Sequence, residues 1–192
     1  MFNVFDKYRL VLASGSPRRQ QFFKDLDVEF EIRLKEIDEV YPNHLKAEEI
    51  TNYLSELKAN AFDGELNDYE LLITSDTIVW HNNQALGKPK NATDAFEMLQ
   101  SMSGTTHEVI TSVTFKSNFF IYTIFENTKV TFAQLDDEEI LYYIEKYKPF
   151  DKAGSYGIQE WIGLVAISKI EGSYTNVVGL PTEKVVQYLK TL

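Results

Sequence analysis

The chain has 192 residues, 44% of them hydrophobic and 25% charged, an ordinary composition for a globular protein long enough to bury a sizeable core. It contains no cysteine, which excludes disulfides, thiolate metal sites and a cysteine nucleophile. Its 29 acidic against 19 basic residues give −10 at pH 7, a surface that repels a polynucleotide and suits only a small anion held by a local cationic cluster.

Tyr8 to Ala13 reads as a short buried strand and Ser14 to Pro17 as a turn, followed by a helix with Phe22, Phe23 and Leu26 on its inner face. Phe30, Ile32 and Leu34 alternate with Glu31, Arg33 and Lys35, as in a strand with one wet face. Ala47 to Phe62 places Ile50, Leu54, Leu57 and Ala61 at helical spacing. Leu71 to Trp80 predicts a strand interrupted by the polar run Thr74-Ser75-Asp76-Thr77, with a hairpin turn at His81 to Gln84. A helix from about Thr93 to Met102 should end at Gly104. His107 to Phe115, Phe119 to Phe125 and Thr128 to Leu135 then predict three strands.

Asp136 to Tyr147 is the clearest helix, with Asp136 and Glu139 as a capping pair and Pro149 blocking its continuation. A last strand over Leu164 to Ile170 and a closing helix from Pro181 to Leu189 complete an α/β or α+β fold around one mixed sheet. One domain over 1–192, in two lobes, fits the length. With no signal-like start and no apolar run near the ~20 residues of a membrane span, a cytoplasmic protein without a membrane partner is expected.

Candidate chemistry begins at Ser14-Gly15-Ser16-Pro17-Arg18-Arg19. Ser16 before Pro17 is a good helix start. Arginines in a first turn oppose the helix dipole unless an anion completes the site, where Ser14, Ser16, Arg18, Arg19 and free amides would converge on a phosphate. A routine cap with an exposed arginine pair fits equally well. Asp76, inside an apolar strand, needs a pairing partner, a hydrogen bond or a metal, unless the strand breaks at Thr74. Lys88, just beyond the hairpin, would return near Asp76 if the strands pair. Glu39 lies in an acidic run that alone would pass for a solvated loop, and Lys58 lies on the amphipathic helix, where most lysines face solvent. Asp151 to Gln159 has the glycines and small residues of a loop whose backbone touches a ligand. His44, His81 and His107 have no ligand spacing.

Several blocks, in order, resemble the Maf family of nucleoside triphosphate pyrophosphatases: Leu12 to Arg19, Ser75 to Val79, Leu86-Gly87-Lys88-Pro89, Met102-Ser103-Gly104 with His107-Glu108-Val109, Asp151 to Gln159, and Gly172 to Pro181. The resemblance implies a Maf/ITPase-like fold, an elongated mixed sheet flanked by helices with a cleft between two lobes, in a protein that is often a homodimer. It also implies cleavage of a nucleoside triphosphate between its α- and β-phosphates with Mg²⁺ or Mn²⁺. Asp76 matches the family's proton acceptor, Glu39 its second acidic residue, and Lys58, Lys88 and Lys152 its phosphate-facing lysines. On this resemblance Glu39 and Asp76 are the metal ligands. Arg18, Thr77 and Gln159 match positions that separate subgroups and resemble the dTTP/UTP-cleaving type; the 7-methyl-GTP subgroup has tryptophan in place of Arg18. Many members continue with glycine after Gln159, where this chain has Glu160.

Overall fold

The computed structural model describes residues 4–192. Seven strands form one mixed sheet in the order β2-β1-β3-β5-β6-β7, with β4 paired to β3. The chain divides into two compact units, residues 1–76, 111–126 and 179–192 forming the first and 77–110 and 127–178 the second.

In the first unit, β1 (Arg9–Leu12) lies parallel to both β2 (Phe30–Ile32) and the start of β3 (Glu70–His81), with Leu10 opposite Leu71 and Leu12 opposite Ile73. Both faces of β1 and of the start of β3 are covered, which is why their sequences run almost continuously apolar. Leu10, Leu12, Leu71 and Ile73 join Phe23, Val113, Phe115 and Val185 in one core cluster. Val11 and Leu72, one residue out of phase, join Ala59, Phe62 and Leu66 in another. The helices responsible are α2 (Pro17–Asp25) and α8 (Thr182–Leu189) on the first side and α3 (Glu48–Asn60) on the second; a short α1 (Val4–Lys7) precedes β1.

Further along, α3 meets the sheet through hydroxyls. Thr51 bonds Ser112 at 2.6 Å, Ser55 bonds Thr114 at 2.8 Å, and Thr74 donates to the Ser55 carbonyl at 2.7 Å. All five side chains are buried. Such directional bonds fix the helix in rotation as well as in depth.

The second unit is built by the rest of β3, its hairpin partner β4 (Gln84–Leu86), parts of β5 (Thr106–Lys116) and β6 (Ile121–Phe132), and β7 (Ile167–Glu171). Asn82 and Asn83 both adopt positive φ in the hairpin turn, the backbone a two-residue connection requires. Helix α4 (Ala92–Met102) is capped by Asn91, and α5 (Asp137–Tyr147) carries the full capping box of Asp136 and Glu139. Two short helices follow, α6 (Trp161–Val165) and α7 (Tyr174–Val178).

Four expectations change. β3 is not interrupted: Thr74, Ser75 and Asp76 are strand residues, and buried ones. Phe119 to Phe125 and Thr128 to Leu135 are not two strands, because β6 runs through Glu126 and Asn127, whose side chains bond Lys184 and Glu108 respectively. Leu164 begins no strand. The chain first makes α6, seated so closely that a Cβ on Gly163 would lie 1.8 Å from the Ile158 carbonyl oxygen, and Leu164 points outward. At the sheet edge, β2 has only three residues; Phe30 packs on Phe23, while Ile32 and Leu34 are exposed.

His107 is buried among aromatic rings of the second unit. It contacts Phe132 and Tyr156 edge to face, and its Nε2 lies 2.8 Å from the Tyr156 hydroxyl. Burial, and to a lesser extent the nearby His81, lowers its pKa from 6.5 to about 3. Because the folded value lies below the unfolded one, the unfolded chain binds more protons between these limits, and stability falls as pH drops below 6.5. Acidification from pH 6.5 to 5 is expected to cost about 1–2 kcal/mol through this group. Urea titrations of the wild type and His107→Gln at both pH values should show that increment only in the wild type.

Candidate active site

Past the end of β1 the Ala13 amide still donates to the Ile73 carbonyl at 2.9 Å, so the parallel ladder delivers the chain straight into the serine loop. Ser14 is buried; its hydroxyl accepts from the Ser16 amide at 3.3 Å and its carbonyl accepts from Gln20 Nε2 at 3.0 Å. Pro17 occupies the first turn of α2 as expected, but Ser16 makes no side-chain cap. The loop is instead closed by its own backbone and by Gln20. A Cβ on Gly15 would meet only Leu34 Cδ1, at 3.8 Å, so no contact within the fold demands glycine there.

The two arginines differ. Arg19 Nε donates to the Gly179 carbonyl at 2.8 Å and its Nη1 to the Ser75 carbonyl at 3.0 Å, so this guanidinium ties the first turn of α2 to β3 and to the entry of α8. Burial lowers its pKa, opposed by the attraction of Asp76, with Arg18 adding to the lowering. Arg18 is half-buried beside it. Two cations in one helical turn are tolerated because one is engaged by backbone carbonyls and Asp76 lies near enough to offset its charge.

Asp76 stands at the end of the first unit's segment of β3, with its side chain only 8% exposed. Its Oδ1 lies 2.7 Å from Lys58 Nζ. The same ammonium lies 2.8 Å from Glu39 Oε1, which reaches it from the irregular segment between β2 and α3. Three residues far apart in sequence therefore meet at one nitrogen. Lys58 is not a solvent-facing helix lysine, since its side chain is 16% exposed, and Glu39 is the member of the acidic run that turns inward to it, though still 47% exposed.

The second unit holds the other candidates. Thr77 follows Asp76 on β3 and is half-buried. Lys88 is exposed. The ladder ends at Val79 opposite Leu86, so the hairpin does not carry Lys88 onward as a strand residue. Pro89 has no amide to continue pairing, and the Gly87 carbonyl accepts from the Gly154 amide at 3.1 Å. Lys152 is buried, its ammonium 2.7 Å from Asp151 Oδ1 and 3.1 Å from Glu160 Oε1, while Gln159 is exposed.

The first unit thus holds a carboxylate–ammonium–carboxylate group of Asp76, Lys58 and Glu39, tied through Arg19 to the loop of serines and arginines. Residues 9–192 match the family model described as Maf-like protein. The chain belongs to the Maf family. Among its curated relatives, the dTTP/UTP pyrophosphatase of Flavobacterium johnsoniae is 70% identical over 97% of this chain and 96% of its own length. The protein of the same name from Flavobacterium psychrophilum is 64% identical over 96% and 95%. That of Bacteroides fragilis is 48% identical over the full length of both.

Within this Maf chain, the structure adds one residue and one role that the sequence pattern did not single out. Tyr143, on the buried face of α5, has a hydroxyl that is bonded to Glu160 and accepts from the Gly157 amide at 3.0 Å. Arg19 looked like a phosphate ligand alone, yet it also holds two carbonyls. A lysine keeps the charge at that position but lacks the planar fork that spans both carbonyls. Arg19→Lys is therefore expected to destabilise the protein by about 1–3 kcal/mol, the scale of charge-assisted bonds lost from partly buried acceptors. Chemical denaturation should read this as a lower midpoint at unchanged slope.

Proposed function

We propose that this chain hydrolyses dTTP and UTP to the nucleoside monophosphate and pyrophosphate, the activity its relatives' names carry. The observation that supports this most strongly is Lys58 held between Asp76 and Glu39 beside the Ser14–Arg19 loop. A protein that merely bound phosphate would gain nothing from carboxylates that repel it. A hydrolase needs them, to accept a proton and to hold a cation.

In this reading a water attacks the α-phosphorus. The new P–O bond forms as the bond to the β-phosphate oxygen breaks, Asp76 accepts the water's proton, and pyrophosphate leaves. Ser14, Ser16 and Arg18 position the phosphates. Arg19 holds the loop and adds positive charge to it, and Lys58, Lys88 and Lys152 offset the charge that develops on the leaving group. Gln159 offers the base one donor and one acceptor, the pair that O4 and N3–H of uracil or thymine require. Arg18, Thr77 and Gln159 together match the dTTP/UTP subgroup pattern.

Asp76 and Glu39 also suit a divalent cation. Their hard oxygens already converge on one positive atom, and Mg²⁺ or Mn²⁺ takes such carboxylates together with phosphate and water oxygens. Among the described residues no group of three or more acidic or histidine side chains is gathered as a metal cage, so substrate and water would complete the coordination. The ion would supply charge neutralisation at the phosphates.

Asp76→Asn is expected to abolish pyrophosphate release from UTP and dTTP with Mg²⁺ while the protein stays folded by circular dichroism; undiminished turnover would exclude Asp76 as the base. Gln159→Leu, at an exposed position, should lower kcat/KM for both nucleotides by about 10–100-fold with unchanged stability, the scale of a lost base-recognition bond. Chromatography of the products from a panel of common and modified triphosphates checks both, and tight binding without products would favour a nucleotide-binding regulator instead.

A further inference from the structure

The second unit contains a cluster that the proposed chemistry leaves unused. Glu160 directly follows Gln159 at the end of the loop that begins at Asp151, and its carboxylate has no part in the proposed chemistry. One of its oxygens lies 3.1 Å from Lys152 Nζ and the other accepts from the Tyr143 hydroxyl. That same hydroxyl accepts from the Gly157 amide at 3.0 Å. A relay thus runs from the α5 residue Tyr143 into both ends of the loop that carries Lys152 and Gln159.

Burial makes this relay directional. Tyr143 is fully buried, and its phenol is held protonated, pushed above the ordinary range first by burial and then by its bond to Glu160. At neutral pH it therefore remains a donor to Glu160. Packing is equally tight, since a Cβ on Gly157 would lie 3.0 Å from both Lys152 Cε and Glu160 Cδ. Asp151, the other anion on Lys152, differs in being largely exposed at 62%, against 24% for Glu160. A solvent-exposed carboxylate is more readily exchanged for an arriving phosphate than one anchored by a buried phenol.

We propose that Glu160, anchored by Tyr143, is a positioning residue that fixes the Lys152 ammonium and the Gln159-bearing loop, while Asp151 is the counter-ion that phosphate displaces. This rests on the assignment of Lys152 and Gln159 to substrate binding made above. Glu160→Gln keeps the shape of the side chain but loses the charge that orients Lys152. Tyr143→Phe removes the hydroxyl and unties the loop from α5.

The test is a double-mutant cycle of Glu160→Gln with Lys152→Ala, reading kcat/KM for UTP, alongside amide hydrogen exchange at Gly157 without substrate. In the Lys152 background, Glu160→Gln should lower kcat/KM about tenfold, the scale of coupling between groups in contact, and in the Lys152→Ala background less than about twofold. Asp151→Asn should lower KM, because it removes the competing anion. Gly157 should exchange faster in Tyr143→Phe. Equal losses from Glu160→Gln in both backgrounds, or a raised KM in Asp151→Asn, would overturn the positioning role. If the wild type released no pyrophosphate from any triphosphate, the reading of function would fail together with any role in it, whereas unchanged Gly157 exchange in Tyr143→Phe would refute the anchor alone.

Discussion

The structure of the first unit turns on one nitrogen. Lys58 Nζ lies within 2.8 Å of oxygens from Asp76 and Glu39, and each of the three side chains arrives from a different kind of segment, a helix, a strand and an irregular connection. An aspartate at 8% exposure inside a strand is tolerated because that cation is there. Stripping one partner from a buried pair leaves a charge whose desolvation costs about 3–5 kcal/mol. The uninterrupted course of β3 through Asp76 therefore depends on where α3 is held, and beside its buried apolar residues α3 is fixed by two hydroxyl pairs, Thr51 on Ser112 and Ser55 on Thr114.

The same dependence reaches the serine loop. Arg19 grips the carbonyl of Ser75, the residue before Asp76, and the carbonyl of Gly179, where the chain enters the last helical segment. Displacing α2 would thus pull on the backbone next to the carboxylate. The loop, the strand and the lysine helix form one mechanically connected group. This gives the arginine pair a reason beyond anion binding, since one guanidinium builds the group while its neighbour Arg18 remains on the half-buried rim.

What the sequence made legible follows from which forces are local. The capping box of α5, the helix α4, the asparagine turn after β3 and the amphipathic α3 are legible because each is written in a few adjacent residues, whereas the Asn91 cap of α4 emerges only in the structure. Lys58 was not readable as a bridge from spacing, because nothing near it on the helix records that Asp76 and Glu39 will arrive from elsewhere. The polar run Thr74 to Thr77 looked like a strand break for the same reason: its partners, Ser55 and Lys58, lie on a helix some twenty residues away. The family resemblance names Glu39, Lys58 and Asp76 as residues of one phosphate site, but not the ion pairs that join them. β6 was split in the reading because Glu126 and Asn127 resemble a turn, although their side chains find partners along a continuous strand. α6 was hidden in an apolar run, since a short buried strand and a short helix carry the same composition.

The charge count at the first-unit group explains why a divalent cation belongs to the proposed chemistry. Asp76 and Glu39 pair with Lys58 and also attract Arg19, so two negative charges already offset two of the three cations Lys58, Arg19 and Arg18, in a chain that carries −10 overall. What remains there is far less than the charge on a triphosphate. A cation taken up between the carboxylates would release Lys58 from part of its internal pairing and raise the local positive charge at the same time. On the proposed chemistry the two carboxylates would make the site conditional, holding the lysine when no cation is bound and serving as ligands when one is.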